Sequence, residues 1–393
     1  MSTLTTPNPL PGEEVPLTGL EIDEKIIEIE EKKKEAYYTA TQLQLMWWKF
    51  RRHRTAIIGS VVLGFFVFIM VFCEFLAPYG SQSRDSGYLF GQPQGLHLFD
   101  ENGQFVGLHA YGMTNAFDRE TMQLVVTEDT STIYKIRFFA KGEPYKMWGL
   151  IKGDRHLFVA EGTHLHLFGT DGLGRDVFSR ALYGTRTSLS IGLLGVVISF
   201  TVGLSMGGIS GYLGGPVDNL LQRLIEFIRS IPTLPLWMSL AAILPKEWSP
   251  LRVYFAVTII LGFLTWTTLA RRVRGKLISM REEDFVFAAR IAGSSETRII
   301  WRHMLPAFLS YIIVDLTISF PAMILGETTL SFIGLGLREP VVSWGVLLQQ
   351  AQNVKAIEQH PWLFIPAAFV VISVLAFSLV GDGMRDAADP YSH

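Results

Sequence analysis

"TAIIGSVVLGFFVFIMVFCEFLAP", Thr55 to Pro78, holds one charged residue, Glu74, close to its end. A helix crossing the hydrocarbon core of a bilayer needs about 20 apolar residues, because it rises about 1.5 Å per residue. This stretch is long enough. A cleavable leader would be shorter, N-terminal and followed by a small-residue cleavage site. The stretch begins after more than 50 residues, so it reads as a true span and the chain as an all-α membrane protein.

Five further apolar blocks follow: Ser188 to Tyr212, Leu224 to Leu244 (interrupted by Pro232 and Pro235), Val253 to Leu269, Leu305 to Leu325, and Trp362 to Val380. Six transmembrane helices are expected. Upstream of the first, "TQLQLMWWKFRRHR" puts Leu43, Met46, Trp47 and Phe50 on one side and ends in Lys49, Arg51, Arg52 and Arg54. Tryptophan beside a basic cluster marks a helix lying in the membrane interface. Met1 to Leu20 is polar and proline-rich and reads as disordered. "EIDEKIIEIEEKKKEA" runs from acidic to basic, which suits the helix dipole, with Ile22, Ile26 and Ile29 on one face.

Lys and Arg near span ends set orientation. Arg51, Arg52 and Arg54 precede span one; Arg271, Arg272, Arg274 and Lys276 follow span four. Both positions are expected to be cytoplasmic, and six spans return the C-terminus to that side. The resulting organisation is a tail and interfacial helix at 1–54, a first span at 55–77 and an extracytoplasmic insert at 78–187. The permease-like core follows at 188–383, with a cytoplasmic loop at 284–304, and then a tail at 384–393. The insert alternates at "IYKIRFF", with Tyr134, Ile136 and Phe138 on one side, and carries turn signals "ENG", "AKGEP" and "IKGD". It reads as a small β-rich domain. Its "HLH", His164 to His166, would share a strand face. Two imidazoles fall short of the three or four ligands a metal site needs, and ordinary surface chemistry is the plainer reading.

A net charge of −2 gives no reason to expect nucleic acid as a partner. The single cysteine, Cys73, lies in an apolar run and allows neither a disulfide framework nor a cysteine metal site. The nearest approach to a phosphate loop, "RRVRGKLIS", lacks the upstream glycine and the hydroxyl after lysine. No nucleophile elbow, zincin or dinucleotide fingerprint is found. The chain is expected to catalyse no bond chemistry and to bind no cofactor or metal.

"FVFAARIAGSSETRIIWRHMLP", Phe285 to Pro306, lies between spans four and five. Asp284 to Ala292 reads as a short helix with Asp284 as N-cap. Gly293 permits a sharp corner, and Ser294 or Ser295 can cap a second helix, Glu296 to Met304. Ala288, Ala289 and Ala292 allow close approach of a partner, while Arg290, Arg298 and Arg302 supply charge. The pattern describes a knob able to pass force from a cytoplasmic partner to the spans. It also describes an ordinary interfacial loop helix.

The segment resembles the coupling motif of ABC-importer permeases: EAA, three residues, G, nine residues, I, one residue, LP. Ala288, Ala289, Gly293, Leu305 and Pro306 match in place; Phe287 replaces the Glu and His303 the Ile. "GTDGLGRDVFSRALYGTRTSLSIG" (Gly169 to Gly192), "ETTLSFIGLGLREPVVSWGVLL" (Glu327 to Leu348) and "LVGDGMRDAADP" (Leu379 to Pro390) resemble the dipeptide/oligopeptide, DppC/OppC-like, subgroup. The resemblance runs from about Gln42 to the end, apart from most of Pro78 to Leu167.

It implies a type I ABC-importer permease fold and a peptide-importing subunit at the inner membrane of a prokaryote. A second homologous permease, two ABC ATPases that use ATP and Mg, an extracytoplasmic solute-binding protein and membrane lipid are the implied partners. Alternating access by rocking would move the substrate. Oligosaccharide import by the same subgroup is the alternative within transport. A membrane-anchored sensor or interaction protein is the alternative outside it, but it predicts fewer spans. A secondary transporter predicts more spans and a repeat.

Several residues join the candidate site on physical grounds. Asp171, Gly174, Arg175, Asp176 and Arg180 would form an ion-paired edge outside the membrane, with Asp171 and Asp176 sharing Arg175, or a contact for the binding protein. Asp315, inside span five, and Glu327, toward its outer end, are costly intramembrane charges that mark either a pathway or an interhelical bond. Ser331, Phe332 and Trp344 belong to a loop after span five that reads as a gate.

Overall fold

The structure, a computed structural model, describes residues 39–118, 123–352 and 358–388. The expected disorder at Met1 to Leu20, the acidic-to-basic helix and the last residues of the C-terminal tail lie outside them. Helix α1 spans Gln42–Phe50 and is started by a capping box in which Thr41 and Gln44 exchange side-chain and backbone bonds. Among the described residues, five helices are long and apolar enough to cross a membrane. They are α2 (Arg54–Leu76), α3 (Val177–Leu213), α6 (Pro250–Met280), α8 (Leu309–Phe332) and α10 (Ile365–Ala388). The shorter helices are α4 (Gly215–Ser230), α5 (Thr233–Ala242), α7 (Asp284–Ile291) and α9 (Trp344–Gln349).

The expected third span is not one helix. Pro232 pushes Ile231 out of the α region, to φ −90° and ψ 129°, and the helix stops. What remains is the charged, amphipathic α4 and the 10-residue α5. At about 1.5 Å per residue α5 covers about half a bilayer core. The second expected span starts early: Asp176 caps α3 by accepting the Ser179 N–H at 2.7 Å, so the helix begins at Val177 rather than Ser188. Its 37 residues project well beyond the apolar stretch.

The centre of the bundle is the pairing of α3 with α6. Gly195, Ser199, Gly203, Gly207 and Gly211 recur every four residues on α3 and form one stripe. A Cβ at Gly207 would lie 2.5 Å from the Ala270 carbonyl oxygen, and one at Gly211 would lie 2.8 Å from that of Arg274. The two backbones are in contact, the small-residue packing familiar from membranes. Helix α2 leans on α10 in the same way: a Cβ at Gly59 would sit 2.8 Å from the Ala376 carbonyl. The outer side of α2 leaves Ile58, Val61, Phe65 and Phe68 exposed, as a lipid-facing helix does.

Between α2 and α3 the described residues form six strands: β1 (His97–Phe99), β2 (Phe105–Asp118), β3 (Gln123–Phe138), β4 (Lys141–Met147), β5 (Ile151–Arg155) and β6 (Phe158–Ala160). Antiparallel β1-β2-β3-β6 make one sheet and β4-β5 a separate ribbon. "HLH" is not on a strand; it lies in the irregular segment after β6, where His166 N donates to Gln94 Oε1 at 2.5 Å instead of to a ladder. The domain is tied to α2 by backbone. Leu157 N donates to the Phe75 carbonyl at 2.8 Å, and His156 Nδ1 lies 2.5 Å from that of Ala77. The end of the bundle bearing the strands is called the strand side below, and the end bearing Arg271, Arg272 and Arg274 the basic side.

Candidate functional site

At the strand side, the chain from Gly169 to Arg180 folds into a tight turn and enters α3. Gly174 has φ +70°, and a Cβ there would lie 2.0 Å from the Asp85 carbonyl oxygen, so this position needs glycine. The turn presents its charges inward. Asp171 Oδ1 accepts the N–H groups of Leu173 (2.8 Å) and Arg175 (3.0 Å). Its Oδ2 accepts Arg175 Nε at 2.8 Å and also Arg180. Both guanidinium groups then reach Glu339: Arg175 Nη1 and Nη2 at 2.8 and 2.6 Å, Arg180 Nη2 at 3.0 Å. Gln350 adds a bond to Glu339 at 3.1 Å. Arg175, Arg180 and Asp171 are buried. Glu339 is partly open to solvent, and its bonds to Arg175, with help from Arg180, hold its carboxyl down at about 2 against the opposing effect of burial.

Asp176 does not share Arg175 with Asp171, contrary to the spacing argument. It is spent on capping α3 and on the imidazole of His166, whose Nδ1 is 3.0 Å away. His166 Nε2 lies 3.6 Å from Asp85, and His164 Nδ1 lies 3.3 Å from the same carboxylate. Burial pulls the His166 pKa down, but Asp176 and Asp85 outweigh it and lift the value to about 8. Glu339 itself escaped sequence analysis. The only hint was an acidic residue in a glycine- and proline-bounded loop.

Below this cluster a second network joins three helices. Glu327 is completely buried; its two oxygens accept Ser331 Oγ at 2.8 Å and Ser188 Oγ at 3.0 Å. Trp344 N donates to the same Ser188 Oγ at 3.2 Å, and Trp344 Nε1 to the Ala181 carbonyl at 3.3 Å. Phe332 packs against the apolar cluster that contains Trp344. Glu327, Ser331, Phe332 and Trp344 are thus brought together as a sealed seam between α3, α8 and α9. An open cleft beside it is lined by Phe90, Leu173, Arg175, Glu339, Val346 and Gln349. Asp315 is not part of this group. It is buried nearer the basic side of α8 and forms an ion pair with Arg272 of α6.

At the basic side, α7 ends at a corner. Gly293 takes φ +73°, its N–H donates to the Arg290 carbonyl at 2.9 Å, and Ser294 N donates to that of Ala289 at 3.1 Å. Glu283, not Asp284, is the N-cap of α7, and Asp284 falls in its first turn. Ser295 caps the next turn by accepting Arg298 N at 3.4 Å. The expected second α-helix is a single turn, Glu296–Arg298, followed by a π-helical stretch, Ile299–Met304. Pro306 has no N–H to give and its ring crowds the carbonyl four residues back, so the backbone widens ahead of it.

The corner is anchored from inside by Val286, Ala289, Ile299, Ile300, Met304 and Leu305, packed with Tyr212, Val273 and Leu277. Its outer surface shows Phe287, Ala288 and Ile291, the last 89% exposed, with Arg298 and Arg302 nearby. The Arg290 guanidinium lies 5.5 Å from the Tyr212 ring and 6.0 Å from that of Phe287.

A bundle of long apolar helices with a buried charged seam at one end and an exposed corner at the other is the arrangement of a membrane transport component. Residues 173–391 match the family described as binding-protein-dependent transport system inner membrane component. The chain belongs to that family, and it is an importer permease subunit. Residues 41–93 match the N-terminal transmembrane domain of oligopeptide transport permease C.

The chain is 39% identical over 226 residues to the oligopeptide transport system permease protein OppC of Haemophilus influenzae, covering 57% of this chain and 70% of that one. It is 35% identical over 226 residues to OppC of Bacillus subtilis (57% and 72%). To the dipeptide transport system permease protein DppC of B. subtilis it is 38% identical over the same length (57% and 68%). An inward-facing structure of the MetNI methionine ABC transporter gives a TM-score of 0.44 at 17% identity, over 54% of this chain and 97% of that chain.

Proposed function

We propose that this chain forms half of the translocation pathway of a peptide importer, paired with a second, homologous permease in the type I importer fold. The carrying observation is the match of residues 173–391 to the family together with 35–39% identity to permeases named for oligopeptides and dipeptides. The basic side is cytoplasmic on this reading, because Lys and Arg gather there. Two ATPase subunits, which use the ATP and Mg, dock on the knobs of the paired permeases, here the corner around Gly293. Ala288, Ala289, Arg290, Arg298, Leu305 and Pro306 form and support the docking knob, and exposed Phe287 and Ile291 give it an apolar contact where the family motif has a carboxylate. The strand side is extracytoplasmic and receives the solute-binding protein.

The sealed seam of Glu327, Ser331 and Trp344 is the outer gate in its closed position. Asp315 and Arg272 pair toward the other end of the pathway. ATP-driven closure of the ATPases pushes the corner and exchanges the open end.

The test is purification of the tagged chain from native membranes in mild detergent, followed by uptake of labelled peptides in reconstituted vesicles. Recovery of ATPase subunits and a second permease, with ATP-dependent peptide uptake, is the expected result. Gly293→Val forces a β-branched residue to φ +73°. It is expected to lower uptake at least tenfold while the chain still inserts. Wild-type uptake by that variant would remove the corner from the mechanism.

A further inference from the structure

The ribbon β4–β5 is not absorbed by the transport mechanism. It runs beside the strand-side end of α2 instead of standing clear of it. Trp148, at its tip, donates its backbone N–H to Glu74 at 3.0 Å and its indole N–H to the Val71 carbonyl at 3.1 Å. The Arg186 guanidinium lies 4.2 Å from the Trp148 ring and is bonded to Glu74. Val71 is five residues before the end of α2 at Leu76, about 7–8 Å inside the helix by its rise per residue. The ribbon tip therefore sits level with the last turns of a membrane span.

Its surface is unusual for a tip in water. Leu150 is 85% exposed and Ile151 67%, and Trp148 and Phe139 are exposed with them. These side chains extend the exposed belt of α2, which includes Phe68 and Phe72. The ribbon also pairs Lys146 directly with Lys152 across the two strands. Like charges facing across a ladder repel. No acidic side chain forms a salt bridge with either lysine among the described residues; Lys141, by contrast, takes Asp154 at 3.1 Å. Period-two alternation puts the two lysines on the face opposite Met147 and Ile151. An apolar tip, an interfacial tryptophan bonded at the depth of a span and two unneutralised lysines are the components of a lipid contact.

We infer that the β4–β5 ribbon is a membrane anchor. It seats Trp148, Leu150 and Ile151 in the leaflet on the strand side and holds anionic lipid phosphate between Lys146 and Lys152. The anchor fixes the strand-bearing domain against the bundle at a constant height. The inference needs only that α2 crosses the membrane, and it stands whichever substrate is carried.

The test uses the full chain in its assembled complex, reconstituted in nanodiscs of phosphatidylcholine with or without phosphatidylglycerol. Cys73 is replaced by Ala, and a single cysteine is placed at Leu150→Cys or, as a control, at Asn102→Cys in the exposed β1–β2 turn. Each is spin-labelled. The Leu150 label is expected to relax with oxygen and to be shielded from a water-soluble nickel chelate, with the Asn102 label showing the reverse. Phosphatidylglycerol should deepen the Leu150 label, and Lys146→Glu with Lys152→Glu should abolish that dependence. Equal access of the nickel chelate to both labels would overturn the anchor. Shielding of Leu150 from both reagents would also overturn it and would place a protein surface on the ribbon. A folded control label with no lipid dependence at Leu150 would remove the lysine half of the inference.

Discussion

The strand-side turn and the basic-side corner are built on opposite principles. At the strand side, charges are mostly buried and matched: Asp171 and Glu339 share Arg175 and Arg180, while Asp176 takes Nδ1 of His166. At the basic side the inner face of the corner is apolar, held by Val286, Ile299 and Met304, while the ion pairs Asp315–Arg272 and Asp218–Arg274 lie among the helices beside it, and the outer face leaves Phe287 and Ile291 exposed. The turn makes its ion pairs within this chain, though Arg180 Nε and His166 Nε2 stay buried without a hydrogen bond among the described residues. The corner is the surface on which the proposed function seats another protein. A buried ion network tolerates no loss of a member, because the remaining charge is stranded. An exposed apolar knob tolerates almost any change as far as folding goes, since it contributes little to the isolated chain.

That contrast breaks most visibly at Arg180. Arg180→Leu leaves Asp171 and Glu339 with Arg175 alone, one guanidinium for two carboxylates, and is expected to destabilise the strand side by about 3 kcal/mol, read as a fall in thermal midpoint in detergent. A midpoint unchanged within error would mean that the matched charges do not hold this end together.

A smaller effect separates the histidine from the arginines. His166 has its pKa raised to about 8. A raised folded value means that the protonated form stabilises the native state. The contribution is full below the ordinary histidine value of about 6.5 and is lost as pH rises through about 8. The thermal midpoint is expected to fall across that window, and His166→Gln should flatten the fall. A slope kept by the variant would assign it to another group.

The smallest effect on stability is expected at the corner. Ile291→Ser should move the midpoint by no more than about 0.5 kcal/mol equivalent, yet weaken recovery of ATPase subunits on purification. Loss of stability with normal recovery would reverse the contrast between the two ends.

Much of this was legible in the sequence because the signals are local. Apolar runs of span length mark α2, α3, α6, α8 and α10, and Gly293 with Pro306 marks the corner. The misses have physical reasons. Pro232 turned an apolar stretch into two short helices, an effect that hydrophobicity does not register. The π-helical stretch before Pro306 comes from a missing donor and a crowded carbonyl. Glu339 lies 164 residues from Arg175, and no periodicity links them. The small-residue stripe on α3 went unread in the apolar block Ser188 to Tyr212; the contact with Ala270 and Arg274 shows it and what it faces. Asp176 misled because spacing names possible partners, whereas helix capping decides which one is used.

The separation between Arg175 and Glu339 has a consequence for biogenesis. Asp171 is on hand at once, but the second carboxylate is synthesised only after α3, α6 and all of α8 have been made. Closing so long a loop carries a high entropic cost and comes late. Until then two arginines at the head of α3 share one carboxylate and must stay hydrated, which keeps that end of the helix out of the lipid. The arrival of Glu339 therefore completes the strand-side ion network, and an insertion intermediate stalled before it would hold α2, α3, α6 and α8 with its mouth unmade.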